Sequence, residues 1–250
     1  MYQKERLENI MNILKKYNYV TVKFLTQELH YSTATINRDL NILQNQKLVK
    51  RSYGGVELIK SRGVPFIFRY QKMRASKNKI GKKAAEFIND GDTIFIDGST
   101  TAQYIGKYIL EKKDITVITN NISLVTYLSE YGINVICLGG TVVEKPSVLG
   151  CAETVEFAMR YKADKCFFST AAATSDGNIY IGSGFWALLI RIMIQNSKEA
   201  FYLVDHEKID IPSNANIMEF NNVNYLISDY IFSEEIKDKY SSVDFINVGN

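Results

Sequence analysis

A short run of small and polar residues near the middle of the chain has the composition of an anion-binding turn. Asp97-Gly98-Ser99-Thr100-Thr101 follows an apolar run that ends at Ile96 and precedes a segment of helical length. At such a turn, hydroxyl groups, backbone N–H groups and the positive end of a helix dipole converge on a phosphate, and small side chains let the ligand approach closely. An ordinary helix cap has the same composition, so this turn by itself leaves both interpretations open.

Other polar turns follow strand-like runs in the same part of the chain. Thr119-Asn120-Asn121, Gly139-Gly140-Thr141 and Asp205-His206-Glu207-Lys208 each come after an apolar run. Each turn is weak evidence alone, but a phosphate-type loop, further polar turns and a lysine on one rim together suit a small anionic ligand. The residues that we predict to bind this ligand are Asp97, Gly98, Ser99, Thr100, Thr101, Asn120, Gly139, Gly140 and Lys208.

An alternation of strand-like and helix-length segments must position these turns. The strand-like runs are 93–97, 115–119, 133–138, 165–168, 200–205 and 224–228. Such alternation predicts an α/β fold in which helices cover both faces of a parallel sheet. In this architecture ligands bind beyond the carboxyl ends of the strands, which is where the polar turns lie.

Charge is distributed unevenly along the 250 residues. Residues 1–75 hold 14 Lys and Arg against 5 Asp and Glu, whereas the following residues hold 16 against 22. A basic segment attached to a mildly acidic body indicates that the first part meets a polyanion such as nucleic acid. A solvated basic face without a partner gives the same counts, so the charge alone does not decide between them.

Apolar residues in the basic segment recur at helical spacing and predict short helices with tight connections. The stripe residues are Leu7, Ile10, Met11 and Leu14 in the first helix and Ile36, Leu40 and Leu43 in the third. The first helix is expected to end near residue 17. Thr21 is a good cap for a second, short helix, and Ser32 is a good cap for the third.

The face of the third helix opposite its apolar stripe carries small and polar side chains that can approach a base edge or a phosphate. After it, residues 48–58 form β-prone runs around Gly54-Gly55, a pair that allows the positive φ of a tight hairpin, and so predict a basic wing. The residues that we predict to bind DNA are Ser32, Thr33, Thr35, Asn37, Arg38, Asn41, Lys50, Arg51 and Tyr53. The structural alternative for Arg38 is an ion pair with Asp39 or another nearby acid, and for Asp39 we favour a structural role.

Residues 1–60 resemble the winged helix-turn-helix of the DeoR family of bacterial transcriptional regulators. The resemblance lies in Arg6 with Ile10, in the Ser-Thr-Ala-Thr-Ile-Asn-Arg-Asp-Leu segment at 32–40, and in Tyr53-Gly54-Gly55. The family pattern usually has two adjacent arginines before Asp-Leu and a His before the two glycines, where this chain has Asn37 and Tyr53. Because Arg38 keeps one charge-assisted contact, the resemblance implies DNA binding with an altered base preference.

The body of the chain resembles the sensor domain of the same family, which is similar in fold to ribose-5-phosphate isomerase and CoA-transferase-like domains. The matching positions are 97–101, Thr119, Asn120, Gly139, Gly140, Asp205 and Lys208. The resemblance implies that this domain binds a phosphorylated sugar or related metabolite, the effector, and thereby controls DNA affinity. It also implies a repressor of a carbohydrate-metabolism operon.

The chain departs from the sensor-domain pattern around residues 169–191. Where the family commonly has a Glu and, four residues later, a Lys followed by Arg, this chain has Trp186, Ile190 and Arg191. A segment of small residues at 169–173 replaces a glycine-containing turn, and Tyr180 stands where a Thr is usual. The loss of two charges that orient a sugar phosphate implies a different effector, weaker binding or no effector.

We therefore predict a winged helix-turn-helix DNA-binding domain at residues 1–60, a linker at 61–75 and an effector-binding and oligomerisation domain at 76–250. The predicted partners are a double-stranded DNA operator, a small phosphorylated metabolite and further copies of the chain in a dimer or tetramer. No run approaches the ~20 apolar residues of a membrane span and the start does not resemble a signal peptide, which predicts a cytoplasmic protein without a membrane partner. The odd number of cysteines, three, predicts reduced thiols.

We predict no catalytic residue, no cofactor and no metal site. The sequence has no Gly-x-x-x-x-Gly-Lys-Ser/Thr or Gly-x-Gly-x-x-Gly motif, and its two histidines, His30 and His206, form no cluster. Two alternatives stay open. One is a sugar-phosphate isomerase-like enzyme that uses Lys208 and Asp205 as acid/base groups and carries a DNA-binding appendage. The other is a regulator whose sensor domain only oligomerises.

Overall fold

The computed structural model describes residues 3–17, 19–46, 48–52, 55–58, 69–70, 72–144, 147–181, 184–211 and 215–249. The chain divides into two compact units, Met1–Pro65 and Phe66–Asn250. The predicted linker at 61–75 falls across this division. Its described residues pack in the second unit, where the ring of Tyr70 stacks on that of Tyr104 with centroids 5.2 Å apart.

The first unit is built on helices with buried apolar stripes. These are α1 (Gln3–Tyr17), α2 (Val22–Leu29) and α3 (Thr33–Asn45). The core residues Ile10, Leu14, Leu25, Ile36, Leu40 and Leu43 are fully buried. Thr21 Oγ1 accepts a hydrogen bond from the Phe24 N–H at 3.1 Å, and Ser32 Oγ accepts from the Thr35 N–H at 3.2 Å. Both predicted N-caps are confirmed, and they satisfy N–H groups that the start of a helix leaves without partners.

A small antiparallel sheet completes the first unit. Its strands are β1 (Tyr19–Thr21), β2 (Val49–Ser52) and β3 (Gly55–Leu58), in the order β1-β3-β2. The β2–β3 pair confirms the strands of the predicted wing, with Lys50 opposite Glu57. Tyr53 and Gly54, between these strands, lie outside the described residues.

The second unit contains the predicted parallel sheet. Its strands along the chain are β4 (Thr93–Ile96), β5 (Thr116–Thr119), β6 (Asn134–Cys137), β7 (Val142–Glu144), β8 (Val148–Leu149), β9 (Ala163–Phe168), β10 (Ala172–Ala173), β11 (Asn178–Ile181), β12 (Ser197–Val204), β13 (Ala215–Glu219), β14 (Tyr225–Ser228) and β15 (Asp244–Asn247). Within the described residues the main sheet has seven strands in the order β15-β14-β12-β9-β4-β5-β6, and every pairing is parallel.

Helices cover both faces of the main sheet. They are α4 (Arg74–Ala85), α5 (Ile122–Glu130), α6 (Ala152–Ala158), α7 (Gly184–Gln195) and α8 (Glu234–Lys239). Along β4, Ile94 and Ile96 belong to one buried cluster with Ile80 of α4, whereas Phe95 belongs to the other cluster with Met193 of α7. Because side chains of a strand alternate between faces, this division confirms a sheet that is apolar on both sides.

The short antiparallel strands of the second unit were not predicted. Strands β7 and β8 pair as one ribbon, and β11 pairs with both β10 and β13. Strand β15 extends the edge of the main sheet and was also missed. Among the described helices, none is both long and apolar enough to cross a membrane.

Candidate functional sites

An ion pair between α1 and α3 fixes the orientation of α3 in the first unit. Arg6 donates from Nε to Asp39 Oδ2 at 2.6 Å and from Nη2 to Asp39 Oδ1 at 2.9 Å. The carboxylate of Asp39 is fully buried, and its hydrogen bonds raise the pKa of Arg6. Asp39 therefore has the predicted structural role, and both of its oxygens are bonded to Arg6 and not to Arg38.

The outer face of α3 carries the residues predicted to contact DNA. Ser32, Thr33, Arg38 and Asn41 are exposed, whereas Thr35 and Asn37 are half-buried. The hydroxyls of Ser32 and Thr35 lie 2.9 Å apart within the N-cap. Arg38 has no acidic partner within the described part of the first unit, so its charge is available to an anion in solution. These contacts stay predictions, but the structure leaves the face open to solvent.

The predicted wing residues differ in their surroundings. Lys50 is exposed, with Nζ 3.7 Å from Glu57 Oε1 across the strand pair. Arg51 instead reaches α3, where Nη1 donates to Asn41 Oδ1 at 2.7 Å and Nη2 donates to Asn37 Oδ1. Tyr53 lies outside the described residues. The sequence did not predict the contact between the wing and the helix.

In the second unit the sheet order brings several polar turns to one edge. Strands β12, β9, β4 and β5 are consecutive neighbours and parallel, so the turns after their carboxyl ends lie side by side. Those turns carry Asp205 and Lys208, then Ser169, then residues 97–101, then Asn120. The topology thus explains why residues distant in sequence meet.

Lys208 joins these turns directly. Its Nζ donates to Thr101 Oγ1 at 3.0 Å and to Ser169 Oγ at 2.8 Å, and it lies 3.6 Å from Asp205 Oδ2. Burial lowers the pKa of Lys208, and the nearby Asp205 carboxylate opposes that shift. The structure therefore places Lys208 beside Thr101 of the predicted turn.

Lys77 is a second lysine of this site, and we did not predict it. It lies on α4 with 3% of its surface exposed, and its Nζ donates to Thr100 Oγ1 at 3.1 Å and to the Arg69 carbonyl. Burial, with repulsion from Lys208 as the next cause, lowers the pKa of Lys77 to about 7. The signal in the sequence was its spacing, because Lys77 precedes the core residues Ile80 and Ala84 by three and seven positions.

We call Lys77, Thr100, Thr101, Ser169 and Lys208 the lysine–hydroxyl cluster. Thr100 and Thr101 are consecutive, and each hydroxyl accepts a hydrogen bond from a different lysine. Because the ammonium group of Lys208 repels that of the buried Lys77, an anion bound beside both would relieve an unfavourable interaction as well as form hydrogen bonds. The cluster is thus suited to a compact, multiply charged anion such as a phosphate group.

Asp97 forms hydrogen bonds within the turn and to the neighbouring strand. Its carboxylate is buried and accepts from Ser99 Oγ at 2.5 Å, and its N–H donates to the Phe167 carbonyl at 3.0 Å. Burial raises the pKa of Asp97 to about 6, although the hydrogen bond from Ser99 opposes this. The described contacts of Asp97 are thus internal to the fold, and its predicted contact with a ligand stays a prediction.

The helix expected after the turn is present, and it is a 3₁₀ helix, Ala102–Tyr108. Its first N–H groups are also engaged, since Ala102 N–H donates to Ser99 Oγ at 3.1 Å and Gln103 N–H donates to the Ser99 carbonyl at 3.2 Å. A short 3₁₀ segment has a weaker dipole than an α-helix of several turns. The predicted attraction for an anion at this turn, which we based on the helix terminus together with Lys208, therefore depends more on the lysines than on the helix.

Asn120 and Gly98 form the neighbouring part of the edge. Asn120 Nδ2 donates to the Leu149 carbonyl at 2.8 Å, while its Oδ1 is buried and accepts no hydrogen bond from the described residues. A Cβ at position 98 would lie 2.5 Å from Val148 Cγ1 and 3.2 Å from Asn120 Oδ1, so only glycine fits there. A ligand hydroxyl that reaches Asn120 Oδ1 would satisfy this buried acceptor.

Gly139 and Gly140 contact the start of α6. Thr154 Oγ1 donates to the Gly139 carbonyl at 2.6 Å, and a Cβ at Gly140, where φ is +136°, would lie 2.3 Å from Thr154 Oγ1. These contacts explain the glycines by backbone conformation and packing. Their predicted contact with a ligand has no support from the described contacts.

The described residues contain neither a metal-binding cluster nor a disulfide bond. Among the described residues, no group of three or more His, Cys, Asp or Glu is placed to hold a metal ion. His206 Nδ1 is 2.7 Å from Asp229 Oδ2, and Cys137, Cys151 and Cys166 are free thiols.

Comparison with known proteins places both units in one family. Residues 6–62 match the model of the DeoR-like helix-turn-helix domain, and residues 72–230 match that of the DeoR C terminal sensor domain. The chain is 34% identical over 241 residues to the HTH-type transcriptional repressor GlcR of Bacillus subtilis (strain 168), covering 95% of this chain and 93% of the relative. It is 27% identical over 231 residues to the glycerol-3-phosphate regulon repressor of Escherichia coli (strain K12), covering 92% of each.

Solved structures resemble the chain at lower similarity. Ribose 5-phosphate isomerase from Plasmodium falciparum superposes with a TM-score of 0.41 and 17% identity, covering 57% of this chain and 55% of that one. From the family models and from the relatives that span its length, the chain belongs to the DeoR family of transcriptional regulators.

Proposed function

We propose that this chain is a sequence-specific DNA-binding repressor of a carbohydrate-metabolism operon, and that a phosphorylated sugar or related metabolite relieves repression. The names of its relatives, a transcriptional repressor and a glycerol-3-phosphate regulon repressor, support the class of operon. The single observation on which the proposed phosphorylated effector rests is the lysine–hydroxyl cluster, where Lys77 and Lys208 donate hydrogen bonds to adjacent threonines. Action on DNA also fits a cytoplasmic location.

DNA binding is assigned to α3 and the wing. Six of the predicted contact residues lie on or just before α3, and the remaining described ones, Lys50 and Arg51, lie on β2. The Arg6–Asp39 ion pair holds α3 against α1, so its outer face is presented as a rigid surface. A helix inserted in the major groove with basic groups beside it is the geometry that gives both base contacts and phosphate contacts.

The effector is assigned to the edge of the main sheet. Its phosphate group is expected to lie between Lys77 and Lys208, and a hydroxyl of its sugar to donate to Asn120 Oδ1. Binding there alters DNA affinity by favouring one of two arrangements of the protein, which requires different effector affinities for the two. We further propose binding without chemical turnover, and a dimer or tetramer that pairs two DNA-binding units on repeated half-sites.

The first test is a thermal-shift measurement on the full chain with a panel of phosphorylated sugars. An effector at ~100 times its dissociation constant stabilises the folded state by about 2.7 kcal/mol, which gives a clear shift. Lys208→Ala is expected to abolish the shift, whereas Lys198→Ala is the matched control because Lys198 is an exposed lysine on β12. DNA binding without effector should be unchanged in both variants.

Other outcomes of this experiment select the alternatives. If no phosphorylated sugar shifts the melting temperature or changes DNA affinity, the sensor domain only oligomerises. If a sugar phosphate in the panel is isomerised at a rate that falls in Lys208→Ala, the chain is an enzyme with a DNA-binding appendage.

A further inference from the structure

The side chain of Arg51 bridges the wing and α3. Its guanidinium donates to Asn41 Oδ1 through Nη1 at 2.7 Å and to Asn37 Oδ1 through Nη2. Asn37 and Asn41 are four residues apart on a helix, so they lie on one face, a single turn from each other. We call these three side chains the Arg51 cluster.

This placement distinguishes Arg51 from the neighbouring cation. Successive side chains of a strand point to opposite faces, so Lys50 and Arg51 have different surroundings. The side chain of Lys50 is 71% exposed and contacts Glu57 only at 3.7 Å. The charge of Lys50 thus faces solvent, whereas Arg51 is held in position by hydrogen bonds to the helix.

The chemistry of the guanidinium fixes the orientation of both amides. Arginine has only N–H donors and no acceptor, so each asparagine must turn its carbonyl oxygen toward Arg51. The NH₂ groups of Asn37 and Asn41 are then left for other partners, together with the N–H groups of Arg51 that these two bonds do not use. The cluster therefore offers mainly hydrogen-bond donors to a molecule that approaches α3.

We propose that the Arg51 cluster reads a base edge in the DNA and prefers guanine. Guanine presents two acceptors in the major groove, N7 and O6, whereas adenine presents an acceptor beside a donor and is read by both ends of an asparagine amide. Arg51 also supplies a guanidinium beside position 37, where the DeoR pattern has an arginine and this chain has Asn37. The inference rests on the proposed placement of α3 and the wing on DNA.

The test begins with selection of preferred sites by the full chain from randomised duplexes. At each preferred guanine, 7-deazaguanine then replaces guanine, which removes the N7 acceptor and keeps Watson–Crick pairing. For at least one guanine in each half-site, the wild type is expected to lose affinity about tenfold, within the range for a good base contact. Arg51→Lys, which keeps the charge and loses the planar fork, is expected to bind both duplexes equally.

Two further variants separate positioning from charge. In Asn37→Ala/Asn41→Ala, Arg51 keeps its charge and loses its supports, so the dependence on N7 should fall while the salt dependence of binding stays. In the control Lys50→Ala, affinity should fall alike for all sequences and the salt slope should drop by about one, with the N7 dependence kept. Circular dichroism melts establish that each variant is folded.

Three results would overturn the inference. The first is that Arg51→Lys keeps the full dependence on guanine N7, and the second is that no 7-deazaguanine substitution in the preferred sites lowers the affinity of the wild type. The third is that Arg51→Ala lowers the affinity for all sequences alike, as loss of a phosphate contact does. Failure of the wild type to select any duplex would instead contradict the proposed DNA-binding function.

Discussion

Replacement of Lys77 by methionine should make the second unit more stable at neutral pH while removing effector binding. Lys77 is 3% exposed, and its pKa of about 7 shows that the fold disfavours its charged form. Methionine has a similar length and no charge. Lys77→Met therefore removes the cost of burying the ammonium group and also removes its two hydrogen bonds, to Thr100 and to the Arg69 carbonyl. A residue that lowers stability at a proposed ligand site is typical of residues kept for function.

The magnitude follows from proton linkage. The pKa of Lys77 is lowered to about 7 in the folded chain from 10.5, so between these pH values the unfolded chain binds more protons than the folded chain. Stability conferred at this position therefore rises with pH, by at most about 1.4 kcal/mol per pH unit. From pH 7 to pH 9 the wild type should gain about 2 kcal/mol from this group, and Lys77→Met should lack that gain.

Urea unfolding at pH 7 and pH 9 measures this difference. Trp186 is the single tryptophan of the chain and belongs to the second unit, so its fluorescence reports on that unit. Lys79→Met is the control, because Lys79 is exposed on the same helix and its loss removes the same charge. Equal gains between pH 7 and pH 9 in the wild type and in Lys77→Met would refute the assignment of a perturbed lysine here.

Other predictions concern the first unit and the pH response of the second. Arg6→Ala leaves the buried Asp39 carboxylate without its partner and should destabilise the first unit by about 3 kcal/mol or more, seen by circular dichroism without a change in Trp186 fluorescence. Arg38→Ala should leave stability within about 0.5 kcal/mol and weaken operator binding by about 1 to 3 kcal/mol, measured by fluorescence anisotropy. Because the pKa of Asp97 is raised to about 6 in the folded chain from 3.8, stability from this group falls as pH rises from 4 to 6; urea titrations should show a loss of about 2 kcal/mol that Asp97→Asn lacks. Effector affinity measured by calorimetry should fall between pH 7 and pH 8.5, where phosphate is already mostly dianionic and Lys77 loses its proton; a flat profile would count against its role.

Local sequence patterns were sufficient for most elements that position the sites. Thr21 and Ser32 cap helices because their hydroxyls reach the N–H groups three residues later, a property that spacing reveals. Six of the seven described strands of the main sheet were predicted because their apolar runs are buried between the helices on its two faces, whereas the edge strand β15 was missed. The three-stranded sheet β10-β11-β13 of the second unit was missed for two reasons. Ala172–Ala173 is too short to show a period, and β13 pairs with the distant β11.

In both candidate sites, the contacts between segments that are distant in sequence could not be predicted. Spacing places Lys77 on the buried face of α4, but only the fold shows that its ammonium meets Thr100. Likewise, Asn37 and Arg51 could each be chosen for DNA binding from their residue types, whereas their mutual hydrogen bond depends on how β2 packs on α3. The 3₁₀ type of the helix after the turn at 97–101 was not predicted, because Ser99 takes the first N–H groups, a local competition that composition does not show.

Helix α7 shows what the departures from the DeoR pattern have changed. Arg191, the charge that the chain retains, donates from Nη2 to the Ile217 carbonyl at 2.9 Å and so supports β13. Ile190, where the pattern has a lysine, is 2% exposed in the core cluster that also contains Met193. The two charges that the pattern provides for orienting a sugar phosphate are therefore absent, with Ile190 packed in the core instead, whereas both lysines of the proposed phosphate site are present.

This asymmetry predicts that the sensor domain recognises the phosphate group much more strongly than the sugar. Asn120 Oδ1 offers one neutral hydrogen bond, worth about 1 kcal/mol, so phosphorylated sugars that differ only in the configuration of one hydroxyl should bind within about tenfold of each other. Their unphosphorylated forms lack the charge that Lys77 and Lys208 attract and should not bind detectably at the same concentration. Titration calorimetry on paired epimers, with inorganic phosphate as reference, measures both effects. Discrimination between epimers by a hundredfold or more would show that further polar groups orient the sugar, and that the losses on α7 do not govern specificity.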